Sequence, residues 1–553
     1  MLKWNDPAGL ERLLLELVGQ NSVSGTKNEQ TMAELVYSLL KTVPYFADNP
    51  ENLFIKPLND KLGRSFVAAL LDKGQQQETL IFVGHMDTVD IEDYGPLRTL
   101  AFQPYEYMQA IKAGFLSADA ALDLASGEWL FGRGVMDMKC GVAMQMALLE
   151  QLAADQGFVG NILLLTVPDE ETNSEGALAA VKFANELLQQ RGLQGLAVVN
   201  CEPNFASYPG DDNRYVYLGT VGKLLPGFYF VGKETHVGES LSGINPDFIA
   251  AEFLRRVEVN TDFSDYDGAE MTLPPICLKF KDLKELYSVQ TPIAAAMYYN
   301  LQTFNTTPET AIEKFRVVAK AALEAACSRV LEQAAIYKER TKLPVKELHF
   351  NPQVLTYSEF CEIVAEGDAK RVESVVNDCI ERYASLPDVD ERELNIRIIS
   401  ALYELCPLRE PMIIMFFAPP YYPHVRLKAD NAFEKHLLCC AERLTERAQT
   451  EFGETVLKQR YFQGLSDLSY FAVQDADAVI GGLAPNMPSW GRTYSVPIEE
   501  IRKLNLPVIN FGPHGRDPHK VSERLHKKYS FEKAPVLLRT LIDDIFSFVE
   551  VSN

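Results

Sequence analysis

The chain has 553 residues, too many for a single hydrophobic core, so at least two domains are expected. It is 47% hydrophobic and 23% charged, as globular proteins are, and its net charge of −23 argues against nucleic acid or an anionic membrane surface as partner. The nine cysteines include no Cys-x-x-Cys, which argues against a disulfide framework or zinc knot and points to a reducing, cytoplasmic compartment. Met1–Pro7 has no charged n-region leading into an apolar core, and no run reaches the roughly 18 apolar residues of a membrane span.

In chain order, residues 1–220 alternate amphipathic helices with apolar strands, the pattern of an α/β sheet with helices on its faces. Helices are predicted over Pro7–Val18, Asn28–Leu40, Gly141–Ala154 and Ser174–Gln190, the last capped by the Ser174 hydroxyl. Strands are predicted over Ser65–Leu71, Thr79–Val83, Asn161–Val167 and Gly195–Asn200. From about Val221 the texture changes: a strand over Leu224–Val231, a helix over Pro246–Val257 and an Ala-rich helix over Thr307–Lys342 with Pro308 at its start. More helix follows over Tyr357–Ser385 and Glu391–Leu405, then a strand over Met412–Ala418 ended by Pro419-Pro420. The α/β texture returns with the helix Ala429–Phe452, the apolar run Ala478–Gly482 and the strand Leu506–Phe511. The expected organisation is a catalytic domain in two parts, 1–220 and 423–553, interrupted by an inserted domain over 221–422.

Five segments place acidic groups or histidines just after apolar runs, where the strand ends of an open α/β sheet gather ligands. In Gly84-His85-Met86-Asp87-Thr88-Val89, His85 and Asp87 share one face of the chain, as a core histidine with its carboxylate would, or a metal ligand with the group that orients it. Asp137 lies in the Gly-punctuated stretch Gly132–Gly141 before a helix, as a cap or a ligand. The adjacent Asp169, Glu170 and Glu171 would repel one another unless a cation or proton is present, though a solvated loop could carry them. Glu202 follows the fourth strand, and His514 and His519 lie in Gly512–His519. Two histidines with several carboxylates suit Zn²⁺, Co²⁺ or Mn²⁺. Two ions roughly 3.5–4 Å apart would need a bridging carboxylate and could activate a water, with one carboxylate kept off the metal as general base. Cys140 and Cys201 flank these candidates and read as small buried apolar groups.

Together the five segments resemble the M20 metallopeptidase family, which contains aminoacylases, desuccinylases, carboxypeptidases and dipeptidases. Gly84–Val89 is similar to the family's G-H-x-D-x-V, Gly132–Gly141 to G-R-G-x-x-D-M-K-x-G, Asp169–Glu171 to D-E-E, Glu202-Pro203 to E-P, and Gly512-Pro513 with His519 to its last His motif. The resemblance implies an α/β fold: a central mixed sheet flanked by helices, of the di-zinc exopeptidase kind, with an inserted α+β lid domain. It implies two divalent metal ions, zinc first with cobalt or manganese as alternatives. His85 and Glu202 would hold one ion and Glu171 and His519 the other, with Asp137 bridging and followed by a peptide bond that is often cis. Asp87 would orient His85, and Glu170 would be the general base. Thr235-His236-Val237-Gly238 with Gly243-Ile244-Asn245 resembles the lid segment whose histidine stabilises the oxyanion, making His236 and Asn245 candidates. Gly464-Leu465-Ser466-Asp467 resembles a substrate-side loop, making Asp467 another. The length, the helical enlargement of the lid over 307–405 and the run Phe416–His424 most resemble the arginine-utilisation, RocB-type branch. The implied substrate is a small peptide or N-acylated amino acid cut at an amide. The implied partner is a second copy through the lid, with a monomer expected if the insertion blocks it. A catalytically silent, metal-retaining regulatory protein of amino-acid catabolism is the competing expectation.

Overall fold

In the computed structural model, which describes residues 2–208, 210–386 and 389–552, the chain forms two compact units. Met1–Val221, Pro423–Gln474 and Glu499–Asn553 build the first, and Gly222–Tyr422 with Asp475–Ile498 the second. The segment 475–498 therefore differs from the expectation that everything after 422 belongs to the catalytic part. The apolar run Ala478–Gly482 lies in a helix, Ala476–Leu483, whose Gly482 leaves room for Pro308 and Glu309 at the start of the long helix Pro308–Thr341. Further on, Asn486 accepts from the Ser358 N–H, and Ser489 N–H donates to Asn395. A short apolar run does not by itself tell strand from helix, and packing against the long helix decides it here.

The first unit is built on an eight-stranded mixed sheet in the order Leu53–Pro57, Ser65–Leu71, Asn161–Val167, Glu78–His85, Gln194–Asn200, Val508–Asn510, Arg214–Tyr217, Val456–Gln459. Its middle four strands run parallel, with His85 level with Val167 and Asn200 level with Asn510. Their carboxyl ends therefore open at one edge, where loops can converge. Ser65–Leu71 and Asn161–Val167 are buried along their whole length, as strands covered on both faces are. Helices Pro7–Gly19, Asn28–Lys41, Lys139–Ala154, Glu175–Arg191, Ala432–Phe452 and Ala534–Ser552 flank the sheet. Ser174 does precede the helix Glu175–Arg191, but at φ 55° its hydroxyl does not cap it. The Asp169 carboxylate takes the Glu175 N–H instead.

The second unit is a six-stranded sheet, ordered Ile276–Asp282, Ala294–Thr303, Pro226–Val231, Met412–Phe417, Gln353–Thr356, with Gly222–Leu224 also on Ala294–Thr303. Phe228 on one face packs against Phe253 of the helix Pro246–Val257 and Phe315 of Pro308–Thr341. Tyr229 and Val231 on the other face join the core of Tyr357–Ala365, Ala369–Tyr383 and Glu391–Leu405. The alternation of strand side chains thus buries both faces. The insertion 307–405 is not purely helical, since Gln353–Thr356 pairs in parallel with Met412–Phe417.

Candidate active site

The four parallel strands deliver their loops to one place. His85 is the last residue of its strand and is 2% exposed. Asn161–Val167 leads into Asp169, Glu170 and Glu171; Gln194–Asn200 leads to Glu202; Val508–Asn510 leads to Gly512 and His519. Asp137 comes from the loop before Lys139–Ala154, and the peptide bond after it is cis. Two glycines permit this convergence: a Cβ on Gly141 would collide with the Cys201 carbonyl, and one on Gly512 with the Glu202 carbonyl.

Asp137 stands between the two imidazoles. Its Oδ1 is 3.1 Å from His85 Nε2 and its Oδ2 3.2 Å from His519 Nε2. His519 Nε2 is also 3.1 Å from Glu171 Oε1, while His85 Nε2 lies 3.9 Å from Glu202 Oε1 and 4.0 Å from Glu170 Oε2. His85, Asp137 and Glu171 each offer a ligand atom, all within 4.8 Å of one another. Asp467 is buried close by, near enough that its charge raises the pKa values of Glu170 and Glu202. His236 and Asn245 belong to the second unit. His236 is exposed and its Nδ1 accepts from Gly238 N–H, so the neutral ring carries its proton on Nε2. Asn245 caps the helix Pro246–Val257 through Oδ1.

Asp87 does more than the expectation assigned to it. His85 Nδ1 donates to the Asp87 backbone carbonyl at 3.2 Å, and the carboxylate is 3.6 Å away, too far for a hydrogen bond. The carboxylate instead accepts the N–H groups of Glu170 and Glu171 and the Ser24 hydroxyl, pinning the acidic loop. A second buried group holds the same loop from behind: Arg64 donates to Asp169, Glu175 and Asp60, and Asp169 sits at φ 75°. Neither Ser24 nor Arg64 stands out in the sequence, because the side chain of each meets partners distant along the chain and neither lies in a charged run after a strand.

Burial and mutual repulsion set the charges. Burial first, then the neighbouring carboxylates, push Glu170 and Glu202 well up. Burial and Asp137 likewise raise Glu171 against the pull of His519. Burial carries Asp467 up to about 7. Burial alone would raise Asp137 and lower both imidazoles. The contacts among them outweigh it, holding Asp137 low and His85 high and lifting His519 to about 11. Burial raises the Cys140 and Cys201 thiols, so both stay protonated. Buried carboxylates this close together are stable with a cation among them, and the oxygen and imidazole donors suit a divalent transition ion.

The chain matches the peptidase family M20/M25/M40 over residues 81–543. It is 36% identical over 540 residues to the protein YqjN of Bacillus subtilis, covering 97% of this chain and 96% of that one. It is 33% identical over 541 residues to the protein RocB of the same organism, covering 97% and 94%. Among solved structures, a metallo-carboxypeptidase of the M20 family from Sulfolobus solfataricus has a TM-score of 0.51 at 12% identity, covering 97% of this chain and 99% of that one. A tripeptidase from Staphylococcus aureus has a TM-score of 0.50 at 14% identity, covering 99% of each chain. These structures share the fold of a mixed sheet flanked by helices with a lid. The chain belongs to peptidase family M20/M25/M40 and is a divalent-metal-dependent hydrolase of peptide or acyl-amino-acid amide bonds.

Proposed function

We propose that this chain hydrolyses an amide bond of a small peptide or N-acylated amino acid, with two divalent ions, zinc first, held by the cluster around Asp137. The observation that carries this is the split of the Asp137 carboxylate, one oxygen to each of two imidazoles. His85 and Glu202 would hold one ion and Glu171 and His519 the other, with Asp137 between them. Bound there, the ions supply positive charge that acidifies water and polarises an amide carbonyl. Glu170, buried and raised, takes the proton of the attacking water and returns it to the leaving amine. Its backbone N–H on Asp87 fixes where that carboxylate points. Asp467 lies on the substrate side, where a carboxyl near neutral pKa can accept or donate a hydrogen bond. His236 Nε2–H is a donor of the kind that stabilises an oxyanion, and the Asn245 amide N–H groups are the substrate-binding donors left once Oδ1 caps its helix.

The likeness to RocB favours a place in arginine or other amino-acid catabolism, and nine thiols without a disulfide favour the cytoplasm. No helix among the described residues is long and apolar enough to cross a membrane. A second copy is the proposed protein partner. The edge strand Ile276–Asp282 exposes Ile276 by 42%, Leu278 by 53% and Phe280 by 40%, an apolar row on a strand that pairs with a neighbouring strand on one side only among the described residues. Light scattering should give a dimer that Leu278→Asp makes monomeric; a wild-type monomer overturns the pairing. A panel of N-acyl amino acids and dipeptides, assayed with Zn²⁺, Co²⁺ or Mn²⁺ and after chelation, tests the reaction. Metal-dependent release of a free amino acid is expected, and no turnover across the panel overturns it.

A further inference from the structure

In the first unit a second histidine pair lies apart from the acidic cluster. A cavity of about 460 Å³ is walled by Trp129, Arg214, Glu454, His514, Arg516 and His526. Arg214 is its unusual member. The buried arginines Arg64, Arg133 and Arg524 of this unit each meet two or more carboxylates. Arg214 meets none among the described residues. One nitrogen donates to the Asp212 carbonyl, Nε is buried without an acceptor, and the guanidinium lies 5.2 Å from the Tyr529 ring centre. Arg214 is half-buried and feels the charge of Glu454 without an ion pair to it, so its free Nε–H can donate to an anion that enters the cavity.

The rest of the wall specifies that anion. Tyr529 N–H donates to His526 Nδ1, so the neutral ring keeps its proton on Nε2 as a second donor. His514 Nδ1 faces the carbonyl and the amide oxygen of Asn204, which leaves Nε2 as an acceptor. Of the acids around the cavity, Asp123 is held by Arg516 and Arg524, Asp212 by Arg516 and Glu454 by Lys533. Glu128, at the exposed rim, has no such partner among the described residues. These acids would repel a dianion such as phosphate, yet they tolerate a single negative charge and welcome a positive one. The flat Trp129 ring, 5.0 Å from the His526 ring and crossed by Arg516, closes one side.

We propose that this cavity is a second ligand site, separate from the hydrolytic one, for a small zwitterion of the free α-amino-acid class. Its carboxylate meets Arg214 and His526, and its ammonium faces Glu128. The site lies behind the strand Gly515–Arg516, which leads into the loop carrying His519.

The test reads Trp129 fluorescence in the full chain with Trp4→Phe and Trp490→Phe, which leaves Trp129 as the single indole. Glycine, arginine and glutamate are titrated against acetate and inorganic phosphate. A saturable change with an amino acid is expected, weaker with acetate and weakest with phosphate. Arg214→Gln should weaken it more than about tenfold, as expected for loss of a charge-assisted bond. His526→Leu should weaken it too, an independent test should Arg214→Gln not fold. His519→Ala should leave the signal unchanged, which separates it from product binding at the hydrolytic site. No saturable change, a preference for phosphate, or equal binding in the Arg214 and His526 variants overturns the proposal.

Discussion

Two histidine pairs in one unit carry opposite charge preferences. His85 and His519 face carboxylates, and although burial opposes it, both are held toward the protonated form. His514 and His526 face arginines; burial and then Arg214 push both pKa values down. The residue type is the same and both pairs sit near strand ends, so neighbouring charge decides. A cluster that draws protons in the absence of metal is one that receives a cation, because metal and proton compete for the same lone pairs. A cluster that keeps imidazole neutral beside an unpaired guanidinium suits an anion instead.

Four substitutions would break or sharpen that contrast. Removing the base is the largest: Glu170→Ala should lower kcat by about 10²–10⁴-fold while metal analysis still finds near two ions per chain. Full activity would sink the assignment. His519→Ala should instead lower metal content, read by elemental analysis after dialysis, because it takes a donor from one side of Asp137. Ser24→Ala removes the hydroxyl that Asp87 accepts; kcat should fall about tenfold with KM little changed, the scale of an outer hydrogen bond that holds a site in place. An unchanged kcat would show the two backbone N–H groups suffice. The smallest effect belongs to the second pair. The folded pKa of His514 lies below its unfolded value of about 6.5. The unfolded chain therefore binds that proton first, and stability is lost as pH falls through that value. In His514→Gln the loss between about pH 7 and about pH 5, followed by denaturant melts, should shrink by about 1–2 kcal/mol. An unchanged pH slope would mean that His514 is not held neutral.

Much of the hydrolytic site is legible in one dimension. His85, Asp137, Glu171, Glu202 and His519 each follow or border an apolar strand, and a parallel sheet brings its strand ends together whatever the loops between them do. The strands Ser65–Leu71 and Asn161–Val167 and the helices Pro246–Val257 and Glu391–Leu405 begin and end where periodicity and capping residues place them. The supports of the site are not legible, since Ser24 reaches Asp87 across 63 positions and Arg64 reaches Asp169 across 105. The strands Ile276–Asp282 and Ala294–Thr303 also escape a reading by pattern. The first alternates apolar residues toward solvent, and the second is buried throughout much of its length between helices.

The amino-acid sequence by itself determines which acidic and histidine residues gather at the site, because motif order along parallel strands maps onto one sheet edge. Tertiary structure decides the charge each donor carries and the work of Asp87, whose carboxylate turns from His85 to the loop of Glu170. It also decides that segment 475–498 joins the second unit and that Arg214, half-buried, makes no ion pair with a carboxylate among the described residues. All of these depend on burial and on partners distant in sequence, and local pattern carries neither.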